Sequence, residues 1–190
     1  MFSPMEKATR PQFWIAARTI AKGELSLRSY FEENAIECFV PTRRVLLKRK
    51  GEMVEQEVPI IHNLLFFKAD FSLAHSLFNQ NSRRLFRIRG ENGMLTIPDR
   101  QMEPFVRFVN EHYGKVRILD TNYVIGDLMM IKKGPFAGWI GKVIQIDNKN
   151  FFTVSLEGLL VAAVRFPKSN LMKVDEAQMD KNILPKEYHF

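Results

Sequence analysis

The chain has 190 residues, 46% of them hydrophobic, with a formal charge of +7 and a pI near 9.6. That length allows one domain or two small ones with real cores, and the basic balance points to an anionic neighbour, either nucleic acid or an acidic protein surface. A lone cysteine, Cys38, excludes an internal disulfide framework and a cysteine-based zinc site, and Cys38 itself reads as a buried strand residue. The sequence contains neither an apolar run of membrane-spanning length nor a signal-like N-terminus, so the expectation is a soluble cytoplasmic protein with no membrane contact.

Phe13 to Ile20 is an apolar run with aromatics and predicts a buried strand. From Gly23 the period changes: Leu27, Tyr30, Phe31 and Ala35 fall at helical spacing, with Glu24 four residues before Arg28. Cys38 to Pro41 restarts a strand, and Pro41 puts it at an edge or an end. Val45-Leu46-Leu47 and Met53-Val54 flank Lys48-Arg49-Lys50-Gly51-Glu52, a hairpin with a basic tip. Asn63 to Ala69 is a compact strand. Leu73, Ala74, Leu77 and Phe78 then make a short helix with Ser72 as its predicted N-cap. Leu85 to Arg89 is a strand with alternating arginines. Pro98 opens a helix in which Met102, Phe105, Val106 and Val109 share one face, although Pro104 argues for a later start. This order predicts an α+β first domain, an antiparallel sheet with helices, over residues 11–111.

Residues 112–123 are polar apart from Val116, Ile118 and Leu119 and read as a linker. Beyond Gly126 every run is strand-like: Leu128–Ile131, Ile140–Ile146, Phe151–Leu156, Leu160–Val164 and Leu171–Val174. Asp147–Asn150 and Glu157-Gly158 supply the turns, so residues 124–175 predict a small all-β SH3-like barrel, with 176–190 as a polar tail. Between Met130 and Val143 an apolar run climbs to Gly134-Pro135-Phe136-Ala137-Gly138 and descends through Trp139 and Gly141. Gly134 and Gly138 bracket a turn where positive φ is expected, and Gly141 permits a close backbone approach.

That glycine-punctuated stretch resembles the KOW motif of NusG-type transcription factors and several ribosomal proteins. The first domain extends the likeness. Trp14-Ile15-Ala16-Ala17-Arg18, Gly23-Glu24, Phe39-Val40-Pro41-Thr42, Ile61 through Phe67 and Ile97-Pro98-Asp99-Arg100-Gln101-Met102 are similar in order and spacing to the N-terminal domain of NusG. His62-Asn63-Leu64 replaces the usual Pro-Gly-Tyr, and the linker is short. Both departures resemble specialised paralogues, antiterminators dedicated to long operons such as those for surface polysaccharides. The resemblance implies a transcription elongation factor that binds the clamp helices of RNA polymerase, bridges the DNA cleft and suppresses pausing and termination. It also implies a barrel that contacts a ribosomal protein or a termination factor. The alternatives are a KOW-containing RNA-binding or ribosome-associated protein, and a general housekeeping NusG.

By position in the resemblance, Ile61, Leu64 and Phe66, with Ile88, Met102, Phe105 and Val106, are the apolar residues for a polymerase helix; each residue type would serve equally well in a core. Leu64 and Phe66 share one strand face, opposite Leu65 and Phe67. His75 and Ser76 stand where related antiterminators place a polar motif against the polymerase. Two basic clusters suit phosphate contact with DNA in the elongation complex: Arg43, Arg44, Lys48, Arg49 and Lys50, then Arg83, Arg84, Arg87 and Arg89. Residues 1–110 hold 17 basic and 12 acidic side chains against 11 and 9 beyond, which assigns the electrostatic role to the first domain. Phe136 and Trp139 either form a partner-binding tip or fold back to cap the barrel. The histidines at 62, 75, 112 and 189 lack metal spacing, and there is no phosphate-binding loop, dinucleotide fingerprint or nucleophile elbow, so neither enzymatic activity, a metal nor a cofactor is expected.

Overall fold

The protein is described by a computed structural model covering residues 11–90, 93–119, 126–146, 148–156 and 159–174. The expected tail at 176–190, the end of the expected linker at 120–123, and the turn residues Asp147, Glu157 and Gly158 lie outside the described residues. Contacts divide the described chain into two compact units, residues 11–40 with 62–96, and residues 41–61 with 97–174.

The first unit is built on β1 (Phe13–Thr19), α1 (Glu24–Glu33), β2 (Cys38–Phe39), β5 (Leu64–Ala69), α2 (Phe71–Gln80) and β6 (Leu85–Arg87). Its strands run in the order β2-β5-β1-β6, antiparallel throughout, with Ile15 opposite Phe67 and Ala17 opposite Leu65. Alternation therefore sends Ile15, Ala17, Leu65, Phe67 and Ala69 to one sheet face. Leu27 and Phe31 from α1 and Ala74, Leu77 and Phe78 from α2 close over that face. The Phe67 ring centroid lies 5.2 Å from Phe31 and 5.7 Å from Phe78, and each such buried side chain contributes about 1.5–3 kcal/mol.

Several local expectations change. Helix α1 stops at Glu33, because Ala35 turns to φ 55°, so Ala35 does not extend the apolar stripe. Glu24 has a partner outside its own helix. It is buried, and its Oε1 accepts the Asn63 backbone N–H at 2.5 Å, while Arg28 meets Glu32 at 3.7 Å. The N-cap of α2 is Asp70, whose Oδ1 accepts from Leu73 N at 2.8 Å, and Ser72 falls inside the helix. Cys38 is half-buried, not fully buried, with its thiol pushed up to about 11 by that burial and the nearby Glu32.

The second unit contains the ribbon β3 (Thr42–Arg49) and β4 (Glu52–Pro59), then α3 (Asp99–Glu111), which follows the short β7 (Thr96–Ile97). Lys50 and Gly51 both have positive φ, 50° and 92°, the two-residue turn whose twist suits a hairpin. Helix α3 begins at Asp99 despite Pro104, which lies buried within it; near the start of a helix the missing N–H forfeits only one intrahelical bond. A six-stranded antiparallel sheet follows, the SH3-like barrel, in the order β13-β9-β10-β11-β12-β8. Its members are β8 (Arg117–Leu119), β9 (Asp127–Ile131), β10 (Ile140–Ile146), β11 (Lys149–Leu156), β12 (Leu160–Arg165) and β13 (Leu171–Lys173). Part of the expected linker is thus strand: Ile118 and Leu119 pair with Ala162 and Val161, because they are the apolar residues of a polar stretch.

Gly134 and Gly138 adopt φ of 97° and 86°, as the turn requires. At Gly141 a Cβ would stand 2.5 Å from Phe152 Cζ, so β10 approaches β11 over an aromatic ring with no room for a side chain. We predict that Gly141→Ala destabilises the chain by about 1–3 kcal/mol, read as an earlier thermal unfolding transition.

Candidate functional site

Three surfaces collect the residues singled out from the sequence. The first is the sheet face of the first unit opposite α1 and α2. Trp14, Ala16, Leu64 and Phe66 occupy it by strand alternation, and none belongs to the core that the helices close. All four are buried, Phe66 completely. Ile88 in the same unit is half-buried. Among the related apolar positions of the second unit, Met102 and Phe105 are buried on α3, whereas Ile61 and Val106 are half-buried.

The second surface surrounds α2 and β6. Arg87 Nη2 lies 3.1 Å from His75 Nδ1, and its guanidinium stacks 5.1 Å from the Phe78 ring centre. A guanidinium only donates, so His75 Nδ1 accepts and the ring proton sits on Nε2. His75 is exposed, and Gln80 Nε2 donates to Ser76 Oγ at 3.1 Å, so the polar motif and one cluster arginine are joined in space. Arg84 is held differently. Its Nε donates to Asn81 Oδ1 at 3.0 Å and it lies 4.8 Å over Tyr30, whereas Arg83 is exposed. In the ribbon, Arg44 pairs with Glu55 at 3.4 Å and Arg49 donates to Gln56 at 2.8 Å; Arg43, Lys48 and Lys50 are exposed.

The third surface lies inside the second unit, and sequence patterning did not expose it. Phe136 does not project; it is 1% exposed. Its ring is stacked on His112 at 4.9 Å, edge-on to Phe108 at 5.7 Å and to Trp139 at 4.6 Å. Phe108 also meets Phe152 at 6.3 Å, and His112 meets Phe166 at 5.3 Å. Arg107 lies 5.4 Å over Phe136 and 5.5 Å over Trp139, and its Nη2 donates to the Pro135 carbonyl at 2.9 Å. Helix α3 is therefore seated on the barrel through the glycine-bracketed turn. Trp139 is half-buried against this cluster. Phe108 was legible only as an apolar residue beside the expected helix face, and His112 only as a histidine without a metal partner.

Among the described residues no group of three His, Cys, Asp or Glu side chains could hold a metal, and no helix is long and apolar enough to cross a membrane.

The described residues form a helix-backed antiparallel sheet and an SH3-like barrel. A family model described as NusG, "Transcription termination factor nusG", matches residues 12–106, and the chain belongs to that family. Its role is accordingly in transcription elongation, in a family that binds RNA polymerase and is not enzymatic. A solved structure titled "Domain interaction in Thermotoga maritima NusG" shares the fold at 15% identity, with a TM-score of 0.50, covering 87% of this chain and 98% of that one. No curated protein sequence matches.

Burial lowers the pKa of His112, the largest influence, against a backbone hydrogen bond to Phe108 and the charge of Glu111; Lys115 adds to the lowering. The Phe108 carbonyl accepts from Nδ1 at 3.3 Å, so protonation would place the new charge on Nε2, beside Phe136 and Phe166. A base whose folded pKa is depressed contributes stability above its unfolded value and loses it as pH falls toward the folded one. We predict that the melting temperature drops as pH falls below about 6.5, and that His112→Gln flattens this slope.

Proposed function

We propose that this chain is an antiterminator that binds the clamp helices of RNA polymerase and suppresses pausing and termination on particular long operons, such as those for surface polysaccharides. It would act in the cytoplasm. The observation that carries the reading is the family match over residues 12–106, which includes the apolar sheet face of Trp14, Ala16, Leu64 and Phe66. By position in the family resemblance, Leu64, Phe66 and Ile88 of the first unit, and Ile61, Met102, Phe105 and Val106 of the second, are apolar side chains of the kind that receive an amphipathic helix. His75 and Ser76 add a polar contact to the polymerase. Arg43, Arg44, Lys48, Arg49 and Lys50, with Arg83, Arg84 and Arg87, meet DNA of the elongation complex.

The burial of Leu64, Phe66, Met102 and Phe105 makes binding conditional on a rearrangement that uncovers them. Seating of α3 on the barrel is the contact to release. Release would also free Phe136 and Trp139 for a ribosomal protein or a termination factor. In this division residues 11–111 bind polymerase, the connection from residue 112 ends at β8, and β8 joins the later strands in the KOW barrel.

Full-length protein should be retained on purified core RNA polymerase after nuclease treatment. Retention lost with nuclease would overturn the polymerase reading and assign the chain to RNA binding. Val106→Asp should weaken binding upward of roughly thirtyfold, because an unpaired carboxylate in an apolar contact costs about 2 kcal/mol or more. Arg107→Ala removes the hydrogen bond to Pro135 and both ring contacts, and should tighten binding by roughly three- to tenfold by raising the competent fraction.

A further inference from the structure

The tip of the β3–β4 ribbon exposes four large apolar side chains: Leu46 at 65%, Met53 at 62%, Val54 at 42% and Leu47 at 39%. A two-stranded sheet has no core of its own to account for them. Register divides them between its two faces. Leu47 stands opposite Val54 on one face; on the other, Leu46 lies diagonal to Met53, the partner of Lys48. A flat protein surface could cover only one of these faces. A groove covers both, because its walls flank the inserted ribbon.

Charge selects the groove. Between Thr42 and Pro59 there are five cations and three carboxylates, and two of those carboxylates are engaged within the ribbon, Glu55 by Arg44 and Glu57 by the Thr42 hydroxyl at 2.6 Å. Lys48, Arg49 and Lys50 surround the apolar tip. The major groove of B-form DNA is about 12 Å wide, admits a two-stranded ribbon between phosphate walls, and presents the thymine methyl as its one apolar feature. A-form RNA closes the equivalent groove to side chains.

We infer that the β3–β4 tip inserts into the major groove of duplex DNA, where Leu46, Leu47, Met53 and Val54 contact thymine methyl groups and Lys48, Arg49 and Lys50 contact the flanking phosphates. This rests on the proposed contact of the same ribbon with nucleic acid and adds to it the duplex form, the groove and the base feature read. The test is fluorescence anisotropy of the full chain against a short duplex with an A·T centre and against the same duplex with deoxyuridine replacing thymidine. Wild type should bind the thymine duplex roughly fivefold more tightly. In Leu46→Ser/Met53→Ser and Leu47→Thr/Val54→Thr that ratio should fall toward one with the salt slope unchanged. These side chains are exposed, and circular dichroism checks that each variant remains folded. Lys48→Gln/Arg49→Gln/Lys50→Gln should instead reduce the slope by about 3 and keep the ratio. A wild-type ratio of one, with the slope still lowered by the charge variant, would overturn groove insertion and leave the phosphate contact standing. No change of slope in the charge variant would remove the nucleic-acid contact as well, and would mark the tip as a protein-docking arm.

Discussion

Burial of Phe136 is the constraint on which the second unit depends. The ring reaches Phe108 and His112 only because Gly134 and Gly138 take positive φ on either side of it, reversing the chain within a few residues. Around it Trp139, Phe152 and Phe166 complete an aromatic wall, and Arg107 covers the solvent side while hydrogen-bonding the turn. Helix α3 and the barrel thus share one set of rings. The same glycines and Pro135 also make this turn a poor place for helix, and residues 127–131, 140–146, 149–156 and 160–165 are strands.

The first unit solves a different problem. Its sheet is apolar on both faces, yet α1 and α2 close over only the face bearing Ile15, Leu65 and Phe67. Leu64 and Phe66 on the other face are buried as well, so apolar side chains suit both faces, and polar ones there would need buried partners. The ribbon has its apolar tip exposed on each face, with its charges around it.

Much of this architecture could be read from local pattern. The compact apolar runs at Phe13–Ile20 and Asn63–Ala69, and the five apolar runs beyond Gly126, correspond to strands within about two residues. Gly141 announced a close approach, and the ring of Phe152 is what approaches. The features missed depend on distant partners. Glu24 has a helical neighbour at Arg28 but accepts from Asn63, and nothing within a few residues encodes that choice. Arg117–Leu119 is too short to carry a period and becomes strand only by pairing with β12. Asp70 displaces Ser72 as the cap because α2 starts two residues earlier than expected, at Phe71. For Phe136, both directions were open until Phe108 and His112 were placed beside it.

If the α3–barrel contact restrains polymerase binding, it must open when polymerase binds. Amide hydrogen exchange on the full-length protein, free and bound to core RNA polymerase, tests this directly. The N–H of Gly138, bonded to Ile131 at 2.8 Å, and those of Ala137 and Trp139, bonded within the turn at 3.0 Å, report on the turn. On binding, the account predicts faster exchange across residues 108–112 and 134–139, with β10 to β12 still protected. Unchanged protection in both segments of the polymerase-bound protein would contradict it.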